Sequence, residues 1–183
     1  MLSRQSLPVV RHLLQDASVL CLGHPDMDMD AHVYLDSRGC TFKCIDVYQH
    51  NGCEEVVNLN DAADLGQWDV VLDHGTIEHC FNVSQALMNA AGAVKPGGHI
   101  FHSPPLTVIN HGYYQISPCL FAEFYKANGW EIQHLAAHYG DKSVPVDGSL
   151  ACRSTVPLGS WLYCIAKRLT DAPLRATFQE KYA

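Results

Sequence analysis

With 183 residues, 48% of them hydrophobic and 17% charged, the chain is long enough to bury one core of ordinary size, and a single domain over residues 1–183 is expected. The formal net charge of −7 and the lack of any block of Lys or Arg speak against nucleic acid as a partner and favour a small-molecule substrate. No run approaches the roughly 20 apolar residues of a membrane helix, and residues 1–17, broken by Pro8, Arg11, His12 and Gln15, lack the apolar core of an export signal; a cytoplasmic protein without membrane contact is expected.

Residues 7–17 place Leu7, Val10, Leu13, Leu14 and Ala17 at a helical period, with Pro8 in the first turn where its missing N–H is not needed. Residues 18–22 are a short apolar run that ends at Gly23 and reads as a first strand. A helix over 27–38 is closed by Gly39, and residues 40–47 read as a second strand ending in Asp46. A shorter third strand follows at 54–59 (EEVVNL), and a fourth at 68–72 (WDVVL), apolar as a strand covered on both faces should be.

The spacing of Val83, Leu87, Ala90, Ala91 and Val94 predicts a helix over 81–94, ended by Lys95 and a Pro96-Gly97-Gly98 turn, with a fifth strand at 99–102. Residues 118–128 predict another helix with Gly129 after it, and 130–137 a sixth strand. Residues 138–160 read as a long polar connection, 161–167 (WLYCIAK) as the last strand. Seven strands alternating with helices imply an α/β protein, Rossmann-like, with a mostly parallel sheet covered on both faces. Eight scattered cysteines without a Cys-x-x-Cys pair read as buried reduced thiols.

In such sheets ligands bind beyond the carboxyl ends of the strands. After the first strand stands CLGHPDMDMDAH, with one glycine and aspartates at 26, 28 and 30. A pyrophosphate needs bare amides and several glycines. Here Pro25 donates no amide and the carboxylates repel phosphate, which disfavours NAD, FAD and nucleoside triphosphates, and with them a nicotinamide-dependent oxidoreductase. S-adenosylmethionine carries no phosphate and is cationic, so an acidic elbow suits it. Asp46, ending the second strand, is placed to accept hydrogen bonds from ribose hydroxyls.

The ordered set SVLCLG, Asp46, NLND, WDVVLDHGTIEH, a helix, VKPGG and HIFHSPP resembles class I S-adenosylmethionine-dependent methyltransferases over about residues 18–168, with GWEI and WLYCIAKR similar to that family's closing strand pair, the last of which runs antiparallel. The stretch from DHGTIEH through NHGYYQISPCLFAEFYKANGW resembles methyltransferase-like proteins of bacterial glycan and secondary-metabolite gene clusters. The resemblance implies that Gly23 with His24 and Asp26 approaches the methionine portion, Asp46 the ribose, and Asn60 and Asp61 the adenine edge, with Asp73 and His74 in the loop under the sulfonium. Asp28 and Asp30 are expected to complement a helix dipole instead. The sequence departs from the family in having G-H-P where G-x-G is usual.

Methyl transfer to an oxygen needs alignment and a group that takes a proton. Glu78 and His79 follow the fourth strand and His111 follows the fifth; either histidine is a candidate base, and Tyr113 and Tyr114 are candidates for an aromatic wall against the substrate. Aspartates 26, 28 and 30 with His32 lack the central glycine and distal glutamate of a calcium loop. Histidines 99, 102, 111, 134 and 138 have no zinc-motif spacing, so no metal is expected. The expected activity is methyl transfer to a small acceptor such as a sugar or glycan-precursor hydroxyl; the alternative is a non-catalytic cofactor-binding or scaffold protein of the same fold. The apolar last strand and uncovered helices are compatible with a homodimer.

Overall fold

The computed structural model describes residues 6–23, 29–49, 52–149 and 155–179. Its centre is a sheet of eight strands: β1 (Ser18–Leu22), β2 (Thr41–Asp46), β3 (Glu55–Val56), β4 (Trp68–Asp73), β5 (Val94–His102), β6 (Glu131–Tyr139), β7 (Lys142–Pro145) and β8 (Trp161–Lys167). They lie in the order β3-β2-β1-β4-β5-β8-β6-β7. The first five run parallel, while β8 pairs antiparallel with both β5 and β6, and β7 antiparallel with β6.

Side chains alternate across a strand, so a strand covered on both faces must be apolar at every position. Val19, Cys21, Val70, Leu72, Phe101, Tyr163 and Ile165 pack on one side with Val10 of α1 (Leu7–Val10) and Leu35 of α2 (Met29–Ser37). Leu20, Leu22, Val71, Ile100, Leu162 and Cys164 pack on the other, with Leu87 of α3 (Val83–Gly92) and Phe121 of α4 (Pro118–Ala127). The described cysteines are free thiols, all buried except the half-buried Cys119; Cys152 lies outside the described residues. No described helix is long and apolar enough to cross a membrane.

Several boundaries differ from the sequence reading. The helix expected over 7–17 gives way to a 3-10 turn at Arg11–Leu13, because the chain must reverse into β1; Leu14 and Ala17 are buried all the same, from irregular backbone. The third strand shrinks to Glu55–Val56, an exposed edge. KPGG is not a turn before β5 but a bulge within it: Trp68 faces Val94 and Val70 faces His99. A Cβ on Gly98 would stand 2.7 Å from the Asp69 carbonyl oxygen, so the bulge needs glycine there.

The eighth strand, β7, falls in the expected loop, joined to β6 by the two-residue Gly140-Asp141 turn that a hairpin reading could have found. The last strand does not offer an edge for dimerisation either, since β8 lies between β5 and β6.

Candidate active site

The carboxyl ends of β1, β2, β4 and β5 carry the candidate residues. Gly23 leaves β1 with φ +68°, a conformation L side chains rarely adopt, and a Cβ there would stand 2.5 Å from Thr76 Oγ1. That hydroxyl donates to the Leu22 carbonyl at 2.6 Å, so the turn after β1 is locked to the segment after β4. At the end of β2, Asp46 Oδ1 accepts from the N–H groups of Val47 (2.6 Å) and Tyr48 (3.3 Å), which fixes the carboxylate in its own turn. His24 and Asp26 lie outside the described residues.

Asn60 and Asp61 form a turn pinned to α3: Asn60 Oδ1 accepts from Asn82 N–H at 2.8 Å, and Asp61 Oδ2 accepts from Asn58 Nδ2 at 2.8 Å. Asn89, reaching out of α3, donates to the Leu59 and Asp61 carbonyls.

Asp73 and His74, which the resemblance places in the loop under the sulfonium, are both held by side chains from other elements. Asp73 is fully buried: Oδ2 lies 2.5 Å from His102 Nδ1, and Oδ1 accepts from the N–H groups of Thr76 and Ile77, both at 3.2 Å. His102 Nε2 lies 2.5 Å from the Tyr125 hydroxyl, which burial holds protonated far above the usual tyrosine range and which therefore donates. His102, on β5, thus ties β4 to α4 inside the core. Its partners Asp73 and Tyr125 were not legible, because they come from β4 and α4.

His74 is held between Ser6 Oγ and Ser103 Oγ, each at 3.0 Å, and burial pulls its pKa down to about 3. An unfolded histidine takes up its proton near 6.5, whereas this one stays neutral in the folded chain until about pH 3. Its burial therefore costs stability progressively as pH falls below 6.5. Relative to a His74→Gln variant, the wild type is expected to lose about 2 kcal/mol between pH 7.5 and pH 5. Urea midpoints of both proteins at the two pH values check this; parallel shifts would contradict it. His138, pulled by burial to about 4, contributes equally to both proteins.

Glu78, His79 and His111 converge. His79 closes the 3-10 turn Ile77–His79 that follows β4, and the loop after β5 is stitched onto that turn by Tyr113 and Tyr114, whose N–H groups both donate to the Glu78 carbonyl. His111 Nε2 thus comes 3.5 Å from Glu78 Oε1, and His79 Nε2 comes within 3.9 Å of it. The imidazole centroids are 5.0 Å apart, and His111 rests edge-on against Trp161 at 4.8 Å. Glu78 itself is fully buried, with neither carboxyl oxygen hydrogen-bonded. Burial, with the Asp73 charge second, pushes its pKa up to about 8.

Tyr113 is 70% exposed and meets Phe81 edge-on at 6.0 Å, an aromatic surface beside the histidines. Tyr114 is spoken for, its hydroxyl donating to the Phe81 carbonyl at 2.8 Å. Thr76, Ser103 and Trp161 were missed by sequence reasoning, and only their positions at strand ends could have flagged them.

A glycine turn where a side chain does not fit and an aspartate at the neighbouring strand end are what a ribose-bearing cofactor needs, and the residues present fit one. The chain has the fold of the class I S-adenosylmethionine-dependent methyltransferases.

Among solved structures, it is similar to the 1,6-didemethyltoxoflavin-N1-methyltransferase of Burkholderia thailandensis, solved with 1,6-didemethyltoxoflavin and S-adenosylhomocysteine (TM-score 0.63, 16% identity, 91% of this chain and 77% of that one). It is similar also to an S-adenosylmethionine-dependent methyltransferase of Mesorhizobium loti (TM-score 0.59, 12% identity, 91% and 99%). A third is the N-methyltransferase NodS of Bradyrhizobium japonicum WM9 in complex with S-adenosylhomocysteine (TM-score 0.59, 11% identity, 91% and 90%). No protein-family model matches the chain, and no curated protein sequence matches it either.

Proposed function

We propose that the protein is an S-adenosylmethionine-dependent methyltransferase acting on a small molecule, with a sugar or glycan-precursor hydroxyl as the acceptor class. The observation that carries this is the Gly23 turn at the sheet's switch point, where β1 lies between β2 and β4, in a fold whose solved counterparts include two with S-adenosylhomocysteine. When bound, S-adenosylmethionine supplies an electrophilic methyl group on a sulfonium.

The chain's own residues do the rest. Gly23 gives the backbone its close approach, Asp46 accepts from the ribose hydroxyls, and Asn60 and Asp61 border the adenine. Glu78, His79 and His111 face the acceptor, and either imidazole takes the proton that its hydroxyl gives up. Tyr113 and Phe81 offer aromatic faces that suit an acceptor with one apolar side, such as a sugar ring.

Calorimetry with S-adenosylmethionine, S-adenosylhomocysteine and NAD tests the reading: both sulfur compounds bind and NAD does not, and lack of sulfur-compound binding below millimolar concentration overturns it. Asp46→Ala is expected to weaken binding by about 1–3 kcal/mol, the loss of charge-assisted hydrogen bonds, with an unchanged affinity rejecting the ribose role. Binding without transfer to any hydroxyl acceptor would favour the non-catalytic alternative.

A further inference from the structure

We propose that Glu78, His79 and His111 form a site for one first-row divalent cation of the zinc, cobalt or manganese kind. This goes beyond methyl transfer and stands whether or not the chain binds S-adenosylmethionine; with an ion bound, His79 and His111 serve as its ligands rather than as proton acceptors. One carboxylate oxygen and two imidazole nitrogens lie within 4.8 Å of one another, contributed by two separate loops. Two nitrogens and one oxygen suit such ions, whereas magnesium and calcium prefer oxygen alone.

The spacing is close to what coordination requires. Ligand atoms each about 2.0–2.2 Å from a tetrahedral ion stand about 3.4 Å apart. Glu78 Oε1 is already 3.5 Å from His111 Nε2 and 3.9 Å from His79 Nε2, so a small rotation of the His79 side chain, which is 48% exposed, completes the set. Three protein ligands leave at least one coordination position for water or an oxygen donor of a small molecule.

An independent observation points the same way. A fully buried carboxylate with both oxygens lacking a hydrogen-bond partner is rare and calls for an explanation. Among the described residues no donor reaches either oxygen; the His111 and His79 Nε2 atoms stand 3.5 and 3.9 Å from Oε1, and the adjoining loop is fitted to hold His111 there. A Cβ on Gly112 would stand 2.9 Å from both Glu78 Cγ and the Glu78 carbonyl oxygen, so this contact tolerates only glycine. Asn110, just before His111, has φ +60°, a left-handed conformation that sets the loop's direction. Trp161 backs the His111 ring. Sequence spacing does not show the set, because residues 78 and 79 lie in the turn after β4 and His111 in the loop after β5.

The test uses the whole protein after chelator treatment, titrated with Co²⁺ while its visible absorption is followed and with Zn²⁺ in a calorimeter. One equivalent of each is expected to bind, Zn²⁺ with Kd in the micromolar range or below, and Glu78→Gln and His111→Gln are each expected to weaken it at least about tenfold. Because His111 is exposed, His111→Gln is expected to keep the circular dichroism of the wild type, and it reads the site even where the buried Glu78→Gln lowers stability. His134 and His138, whose Nε2 atoms are 3.2 Å apart, are a second imidazole pair among the described residues, and His138→Gln should leave the Zn²⁺ affinity within about twofold. Lack of binding below about 100 μM, or binding that only His138→Gln weakens, overturns the proposal. Calorimetry with S-adenosylmethionine on the same samples reads the methyltransferase proposal separately.

Discussion

Asp73→Ala lowers the stability of the folded protein by about 3–5 kcal/mol, the largest effect expected of a single substitution here. Three groups lose their partner at once. The His102 ring, fully buried and stacked on Phe121 at a centroid distance of 4.4 Å, is left with an Nδ1–H and no acceptor. The Thr76 and Ile77 N–H groups lose Oδ1, and with it the start of the turn that carries Glu78 and His79. Each buried donor so orphaned costs about 1–3 kcal/mol.

For a chain of this length each kcal/mol is worth roughly 2–4 °C, so the midpoint of thermal denaturation should fall by about 6–20 °C. Asp73→Asn, which keeps an acceptor oxygen at nearly the same place, should cost less than half as much. A loss under 1 kcal/mol for Asp73→Ala would show that the inner network of Asp73, His102 and Tyr125 does not hold this end of the sheet.

The second large effect is at Gly23. Gly23→Ala puts a side chain into a left-handed conformation, costing about 1–2 kcal/mol, and places Cβ against Thr76 Oγ1. Moving Thr76 aside sacrifices its hydrogen bond to the Leu22 carbonyl, about 1 kcal/mol more. A total of about 2–3 kcal/mol is expected in urea denaturation, together with at least a tenfold loss of S-adenosylmethionine affinity if this turn meets the cofactor.

The two components separate in a double-mutant cycle. Thr76→Ala removes the clash but not the backbone strain, so Gly23→Ala should cost about 1 kcal/mol less in the Thr76→Ala background. Strict additivity would mean that Thr76 yields freely and the close approach does not constrain the turn.

The parallel half of the sheet was legible in the sequence because it is buried on both faces. Continuous apolar runs such as 19–22 and 70–72 mark strands that helices cover on both sides, and Gly23 marks the point where the first of them must turn. Short or exposed elements left weaker traces. β3, with both residues exposed, and β7, exposed along its length, carry no apolar pattern, and the β5 bulge resembles a turn because its glycines serve both purposes.

By itself, then, the sequence determined the fold class and the end of β1 at Gly23. Tertiary structure alone decided which chemistry-bearing side chains meet. Asp73 closes β4 and His74 follows it, and both are held by partners from distant elements, His102 for Asp73 and Ser6 with Ser103 for His74. Glu78 and His79 acquire His111 only because backbone hydrogen bonds dock the loop after β5 onto the turn after β4. Periodicity reports each residue's own burial, whereas convergence depends on strand order and on hydrogen bonds between segments far apart in the chain.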